Sequence, residues 1–140
     1  MTLAYLGLGA NVGDREANLE LARAELDRTG ATIVRSTAVV ETEPFGISDQ
    51  PPFLNQVLEV EWEGTPEELL AAAKAVEQRV GRTPTYRWGP REIDVDILLF
   101  GDRQVRTSEL EIPHPGLRQR DFVRDQLLEL RPDLARILEK

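Results

Sequence analysis

The chain has 140 residues, of which 41% are hydrophobic and 30% are charged, which suits one globular domain with a real core. It contains no cysteine, which excludes disulfides and thiolate metal sites, and its net charge of −8 argues against binding nucleic acid through broad phosphate neutralisation. No apolar run is long enough to span a bilayer, and no signal segment opens the chain. We therefore expect a cytoplasmic protein with a single domain over residues 1–140.

The predicted elements follow one another in a β-α-β-β-α-β order. In chain order they are a strand over 2–9, a helix over 15–28, strands over 31–41 and 53–62, a helix from about 66 to 80, and a strand over 93–100. The part after residue 115 is predicted to be mainly helical. This order favours an α+β fold of the ferredoxin-like type, with helices packed on an antiparallel sheet and helical additions at the C-terminus.

The strand predicted over 93–100 carries two carboxylates on an otherwise apolar segment. Side chains alternate between the faces of a strand, so Asp94 and Asp96 share one face, roughly 7 Å apart. Strict alternation would place Leu98 and Phe100 beyond them and Leu99 on the opposite face. Two like charges at this spacing repel each other unless a cation lies between them, and Mg²⁺ is typically held by one or two carboxylates plus phosphate oxygens.

The segment before this strand is strongly basic. Residues 79–91 contain four arginines and no acidic residue, in a chain that is acidic as a whole. Guanidinium groups bind phosphate oxygens through paired hydrogen bonds, so the segment indicates a polyphosphate ligand. The alternative is an ordinary edge strand with a solvated acidic face and surface arginines.

Two further segments are candidates for binding. Phe53 and Asn55 follow a Pro-rich loop and share one strand face, where a ring and an amide could bind a flat heterocycle; a stiff surface connection is the alternative. His114, the only histidine, lies between two prolines and could donate to a phosphate oxygen, although such a residue is more often structural. Phe122 follows in a segment whose helical pattern would instead make it a core residue.

Several common sites are missing from the sequence. There is no Gly-x-x-x-x-Gly-Lys-Ser/Thr loop, and the glycines at positions 7 and 9 lack the third glycine of a dinucleotide fingerprint. An ATP site would therefore have to be built without a P-loop.

Taken together, these segments resemble the 6-hydroxymethyl-7,8-dihydropterin pyrophosphokinases of folate biosynthesis. The resemblance rests on the runs at 8–14, 42–44, 50–55, 87–97 and 113–115, of which the Arg-Trp-Gly-Pro-Arg-x-Ile-Asp-Val-Asp-Ile run is the most specific. It implies transfer of diphosphate from ATP to the hydroxymethyl group, with release of AMP. It also implies two Mg²⁺ ions, small-molecule substrates only, and a monomer that binds neither nucleic acid nor membrane.

The resemblance assigns a role to each matching residue. Asp94 and Asp96 would bind the metals and, with Arg82 and Arg91, form the catalytic group. The pterin would contact Thr42, Pro44, Phe45, Phe53, Asn55, Asp94 and Phe122. The nucleotide would contact Glu77, Arg82, Trp88, Arg91, Ile97, His114 and Arg120.

Two other functions fit parts of the pattern. A palm-like nucleotidyltransferase would also use an Asp-x-Asp pair with two metals, but it would not need the Pro-rich loop with Phe53 and Asn55. An RNA-binding module of ferredoxin-like fold could use Phe53 and Phe122 as stacking platforms, against which the charge of −8 weighs.

Overall fold

The structure is a computed structural model that describes residues 1–43, 51–81, 93–119 and 121–135. Its strands are β1 (Thr2–Ala10), β2 (Thr32–Ser36), β3 (Val40–Thr42), β4 (Phe53–Trp62), β5 (Asp94–Phe100), β6 (Val105–Arg106) and β7 (Glu111–Ile112). Its helices are α1 (Arg15–Thr29), α2 (Pro66–Val80), α3 (Gly116–Gln119) and α4 (Asp121–Leu130), with a 3₁₀ turn at Pro132–Leu134. None of the helices in these ranges is both long and apolar enough to cross a membrane.

The main sheet has the strand order β2-β4-β1-β5, with β3 also paired to β4, and every pairing is antiparallel. This arrangement confirms the α+β prediction with the ferredoxin-like order. The predicted strand over 31–41 is in fact two short strands, because the chain leaves the ladder at residues 37–39. The small hairpin of β6 and β7 was not predicted.

Local signals set the ends of both long helices. The Asp14 side chain accepts a hydrogen bond from the backbone N–H of Ala17 at the start of α1, and Gly30 ends that helix with φ of 104°. A reciprocal pair of hydrogen bonds between Thr65 and Glu68 opens α2, as the capping-box pattern predicts.

Each face of the sheet packs against different helices. The larger core joins one face to α1 and α2, and includes Leu6, Leu8, Leu19, Leu26, Leu58, Leu69, Val76, Val95 and Ile97. A smaller core on the other face joins Tyr5, Val57 and Leu98 to Leu117, Leu127 and Leu130 of the C-terminal helices. The C-terminal helices thus cover part of the face opposite α1 and α2, and the uncovered part of that face carries Asp94 and Asp96.

A bulge in β5 changes which of its residues share a face. Tyr5 of β1 pairs with Leu99, whereas the next pair along the ladder involves Ile97, so Leu98 is an extra residue. Strict alternation is therefore wrong beyond this point. Leu99 packs against the smaller core and Phe100 belongs to the larger one, because the extra residue reverses the direction of the side chains that follow.

A charged cluster fixes the C-terminal end of α4 to the sheet. The buried Glu59 carboxylate accepts hydrogen bonds from the Tyr5 hydroxyl and from two nitrogens of Arg35, at 3.0 and 2.9 Å. Arg35 also donates to the carbonyl of Leu130 at 2.8 Å. The hydrogen bonds from Arg35 hold the pKa of Glu59 below its ordinary value, and burial raises the pKa of Tyr5.

Candidate active site

Two clefts meet at the acidic pair of β5. The first opens on the sheet face opposite α1 and α2 and encloses about 820 Å³ of space open to solvent. The second, of about 890 Å³, lies between α2, β5 and the hairpin of β6 and β7. Asp94, Asp96 and His114 line both clefts.

Strand pairing places the acidic pair beside Asn55. Gly9 of β1 pairs with Asn55 on one side and with Asp94 on the other, and Gly7 pairs with Asp96. Directly opposed residues of antiparallel strands point to the same face, so Asn55 and Asp94 flank Gly9 at the floor of the first cleft. The two glycines leave that floor without side chains.

The remaining wall of the first cleft combines two phenylalanines with a hydrogen-bonded amide. Phe53 and Phe122 are both half-buried and both line the cleft. The Asn55 amide nitrogen donates to the Thr42 hydroxyl. Since the amide nitrogen has this partner, Asn55 Oδ1 is suited to accept a hydrogen bond from a ligand. Phe122 therefore belongs to the cleft wall, and not to the closed core that its helical pattern would also have allowed.

His114 is oriented by two backbone contacts. Its backbone N–H donates to the carbonyl of Leu98 at 3.0 Å, which fixes the segment to the outer edge of β5. The N–H of Gly116 donates to His114 Nδ1 at 2.9 Å, so the neutral ring carries its proton on Nε2. Nε2 lies 3.9 Å from Asp96 Oδ1 and is directed toward the acidic pair.

The acidic pair has the chemistry of a magnesium site completed by ligands other than protein. Both aspartates are half-buried on one strand face. Among the described residues, no group of three acidic or histidine side chains is arranged to hold a metal ion by itself. Two carboxylates with remaining positions for water and phosphate oxygens are a donor set that fits Mg²⁺.

In the second cleft, Glu77 of α2 supports the strand that carries the aspartates. Its side chain is buried, and its carboxylate accepts a hydrogen bond from the backbone N–H of Val95 at 2.8 Å. Val95 lies between Asp94 and Asp96, so this contact fixes the backbone of the acidic pair. Ile97 lines the same cleft from a nearly fully buried position.

Comparison with known proteins decides the family. The model of the 7,8-dihydro-6-hydroxymethylpterin-pyrophosphokinase (HPPK) family matches residues 5–132. The chain belongs to this family. A 2-amino-4-hydroxy-6-hydroxymethyldihydropteridine pyrophosphokinase of Aquifex aeolicus is 44% identical over 134 residues, which cover 96% of this chain and 83% of that protein. The Bacillus subtilis protein of the same name is 42% identical, covering 91% of this chain and 77% of its own length.

A solved structure supports the fold of this HPPK-family chain. The Plasmodium falciparum HPPK-DHPS structure matches with a TM-score of 0.57 and 15% identity, over 92% of this chain and 33% of that one. At this identity the likeness concerns the fold alone.

The site predicted for an HPPK-family chain is brought together in part. Nine of the predicted residues line one or both clefts: Thr42, Phe53, Asn55, Asp94, Asp96, His114 and Phe122 line the first, and Glu77 and Ile97 line the second alone. The other six lie outside the described residues: Pro44, Phe45, Arg82, Trp88, Arg91 and Arg120.

Sequence reasoning missed several polar residues at the site. Lys74 lines the second cleft one turn before Glu77, and the three-residue spacing on a helix was the signal that could have shown it. Asn11 and Arg15 donate to the carbonyls of Pro51 and Pro52, at 3.0 and 2.9 Å, directly before Phe53. Gln126 of α4 lines the first cleft, and no pattern in the sequence pointed to it.

Proposed function

We propose that this chain transfers diphosphate from ATP to the hydroxymethyl group of 6-hydroxymethyl-7,8-dihydropterin and releases AMP, acting as one domain over residues 1–140. The observation that carries the proposal is the meeting of two clefts at Asp94 and Asp96, in a chain of the HPPK family. A bisubstrate transfer needs two binding spaces that share a boundary where the reacting atoms meet, and holding them there lowers the barrier through proximity.

The first cleft is the proposed pterin site. A flat bicyclic ring would stack on Phe53 and Phe122, while Asn55 Oδ1 would accept a hydrogen bond from an N–H group on the ring edge. Thr42 would act through Asn55, since its hydroxyl holds the amide nitrogen. Pro44 and Phe45 are proposed to complete this site from the adjoining loop.

The second cleft is the proposed ATP site. His114 Nε2, oriented by the contact with Gly116, would donate to a phosphate oxygen at the boundary between the clefts. Lys74 would add positive charge from α2, and Ile97 and Glu77 would line the pocket. The proposal adds Arg82, Trp88, Arg91 and Arg120, whose residue types suit phosphate binding and stacking.

Asp94 and Asp96 are proposed to hold two Mg²⁺ ions. Bound Mg²⁺ would neutralise charge on the phosphate oxygens, which is the main requirement of phosphoryl transfer. The chain's own contribution is to fix the two carboxylates: Glu77 holds the backbone between them, and pairing with Gly9 and Gly7 holds it from the other side.

The proposed reaction is a direct transfer of diphosphate, without a covalent enzyme intermediate. The hydroxymethyl oxygen forms a bond to the β-phosphorus of ATP, the bond between that phosphorus and the oxygen bridging to the α-phosphate breaks, and the hydroxyl proton is released. AMP leaves with the bridging oxygen. Arg82 and Arg91 are proposed to stabilise the negative charge that develops on the transferring group.

Product analysis tests the proposal. Purified protein with ATP, Mg²⁺ and 6-hydroxymethyl-7,8-dihydropterin should produce AMP and the pterin diphosphate in equal amounts. Release of pyrophosphate would instead indicate nucleotidyl transfer. Absence of any ATP turnover, combined with tight binding of single-stranded RNA, would indicate the RNA-binding module of ferredoxin-like fold. The sedimentation coefficient of the same sample would test the expectation of a monomer, and fractionation of the source cells would test the cytoplasmic location.

A further inference from the structure

Gln126 is a buried amide at the first cleft that has no part in the proposed reaction. Gln126 is 3% exposed, although Arg124, Asp125 and Glu129 of the same helix are more exposed. Its Nε2 lies 3.1 Å from the carbonyl of Asn55, 3.3 Å from the carbonyl of Ala38 and 3.5 Å from the hydroxyl of Thr37. All three acceptors belong to the sheet region and none to α4, so the amide links two separate parts of the fold.

The hydrogen bond between Gln126 and Asn55 lies close in the chain to both phenylalanines of the first cleft. Gln126 is four residues after Phe122, and residues at this spacing share one face of a helix. Asn55 is two residues after Phe53, and residues at this spacing share one face of a strand. The hydrogen bond from Gln126 to the backbone carbonyl of Asn55 therefore joins the helix face that carries one ring to β4, two residues from the other ring.

The same amide contacts the place where the outer strand is interrupted. Thr37 lies between β2 and β3, and its hydroxyl accepts from the backbone N–H of Val57 at 3.0 Å while its carbonyl accepts from the side chain of Gln56 at 2.8 Å. Gln126 thus contacts a point that β4 already holds in place. Because β4 holds Thr37 in place, the hydrogen bonds of the Gln126 amide fix the distance between α4 and β4.

Other contacts hold α4 on the sheet at its C-terminal end. Leu127 and Leu130 pack in the smaller core, and Arg35 donates to the carbonyl of Leu130. Gln126 contacts β4 one turn after Phe122, from a position that lines the first cleft. Its loss should consequently leave the helix docked but free the cleft-side half to shift.

We propose that Gln126 is a positioning residue that sets the separation of Phe53 and Phe122, and thereby the affinity and selectivity of the cleft for a flat heterocycle. The inference rests on the proposed pterin site. It adds a residue that acts on the pterin site through the backbone carbonyl of Asn55.

The test compares Gln126→Met with the wild type in the full-length protein. Methionine has a similar length and shape but no hydrogen-bond donor, so the buried carbonyls lose their partner. Calorimetry with 6-hydroxymethylpterin should give a dissociation constant about fivefold to tenfold higher, in line with the loss of one buried hydrogen bond. The dissociation constant of a non-hydrolysable ATP analogue should change less than about twofold, since the second cleft is untouched. A pterin with an added alkyl group on the ring should lose less affinity than the parent compound.

Two further variants separate positioning from stability. Gln126→Glu keeps the size of the side chain but directs carboxylate oxygens at oxygen acceptors, so it should weaken pterin binding at least as much as Gln126→Met. Glu129→Gln changes an exposed residue of the same helix and should alter neither dissociation constant.

The possible results are distinct. If the wild type itself fails to bind 6-hydroxymethylpterin, the proposed function fails. If the wild type binds and Gln126→Met binds equally well, the positioning role is wrong. Equal weakening of pterin and nucleotide binding, with a matching loss of folding stability in urea, would also overturn it by showing a general structural role.

Discussion

Replacing Gly9 with alanine should obstruct the proposed pterin cleft while leaving the fold in place. A Cβ at this position would lie 3.3 Å from Asn55 Oδ1 and 3.5 Å from Cδ1 of Phe53. The first distance is tighter than most real Cβ contacts, so Asn55 would have to move by a few tenths of an ångström. Gly9 has no positive φ, so the backbone itself accepts alanine without strain.

The size of the effects on folding stability and on pterin binding depends on where the displaced atoms can move. Inserting one methyl group into a packed site costs about 1–3 kcal/mol. Here Phe53 and Asn55 border an open cleft and can yield into it, so the free energy of unfolding should fall by less than about 1 kcal/mol. The space they enter is the space the pterin needs. We therefore expect the pterin dissociation constant to rise roughly 5-fold to 100-fold.

Gly7→Ala is the matched control on the same strand and the same face. The three atoms nearest to its Cβ would be side-chain carbons of Leu98, at 3.5 Å or more, which is ordinary contact. Calorimetry should show a change of less than about threefold for this variant. The reasoning is refuted if Gly9→Ala binds 6-hydroxymethylpterin as tightly as the wild type, or if both variants lose affinity equally.

Four more substitutions test three separate parts of the structure. Asp94→Ala and Asp96→Ala should each abolish Mg²⁺-dependent AMP release, because each removes one of the two proposed metal ligands, while circular dichroism should show an intact fold. Phe53→Ala should weaken pterin binding by about 1–3 kcal/mol, the scale of ring stacking on a base, with little effect on calorimetric binding of an ATP analogue. Glu59→Gln should lower the free energy of unfolding by about 1–3 kcal/mol at pH 7, a range reduced from that of a fully buried pair because Arg35 is half exposed. Since the pKa of Glu59 is lowered by folding, its stabilisation is present above the unfolded value of about 4.3 and is lost as pH falls through the folded value. Urea unfolding at pH 3 should therefore show a much smaller difference between variant and wild type.

The elements that could be predicted are those set by neighbouring residues. Asp14, Gly30 and the Thr65–Glu68 pair are residue types that typically begin or end a helix, and they do so here through contacts within four residues. The break at residues 37–39 could not be predicted, because the Thr37 contacts come from positions about 20 and 89 residues away in the chain. A pattern of Val, Ile and Thr that favours extended backbone does not show where a ladder is interrupted.

In the candidate site, too, local patterns predict some features, and others depend on contacts between distant parts of the chain. Alternation along β4 and β5 puts Phe53 with Asn55 and Asp94 with Asp96, and the predicted strand order then brings both pairs to the same sheet. The bulge at Leu98 follows no local signal, because it depends on how β5 pairs with β1. Gln126 was missed for a related reason: a glutamine in an amphipathic helix is usually solvated, and its burial appears only once α4 is placed on β4.

The placement of β5 at the edge of the sheet explains how one acidic pair can serve two clefts. An edge strand leaves a row of backbone groups without partners in the sheet, and here Glu77 accepts from the N–H of Val95 while the N–H of His114 donates to the carbonyl of Leu98. These contacts fix the outer side of the strand without covering the aspartates. A central strand would have neighbouring strands on both sides, which would leave no room beside it for a second cleft. At the edge, Asp94 borders both the proposed pterin cleft and the proposed nucleotide cleft, as a transfer between two ligands requires.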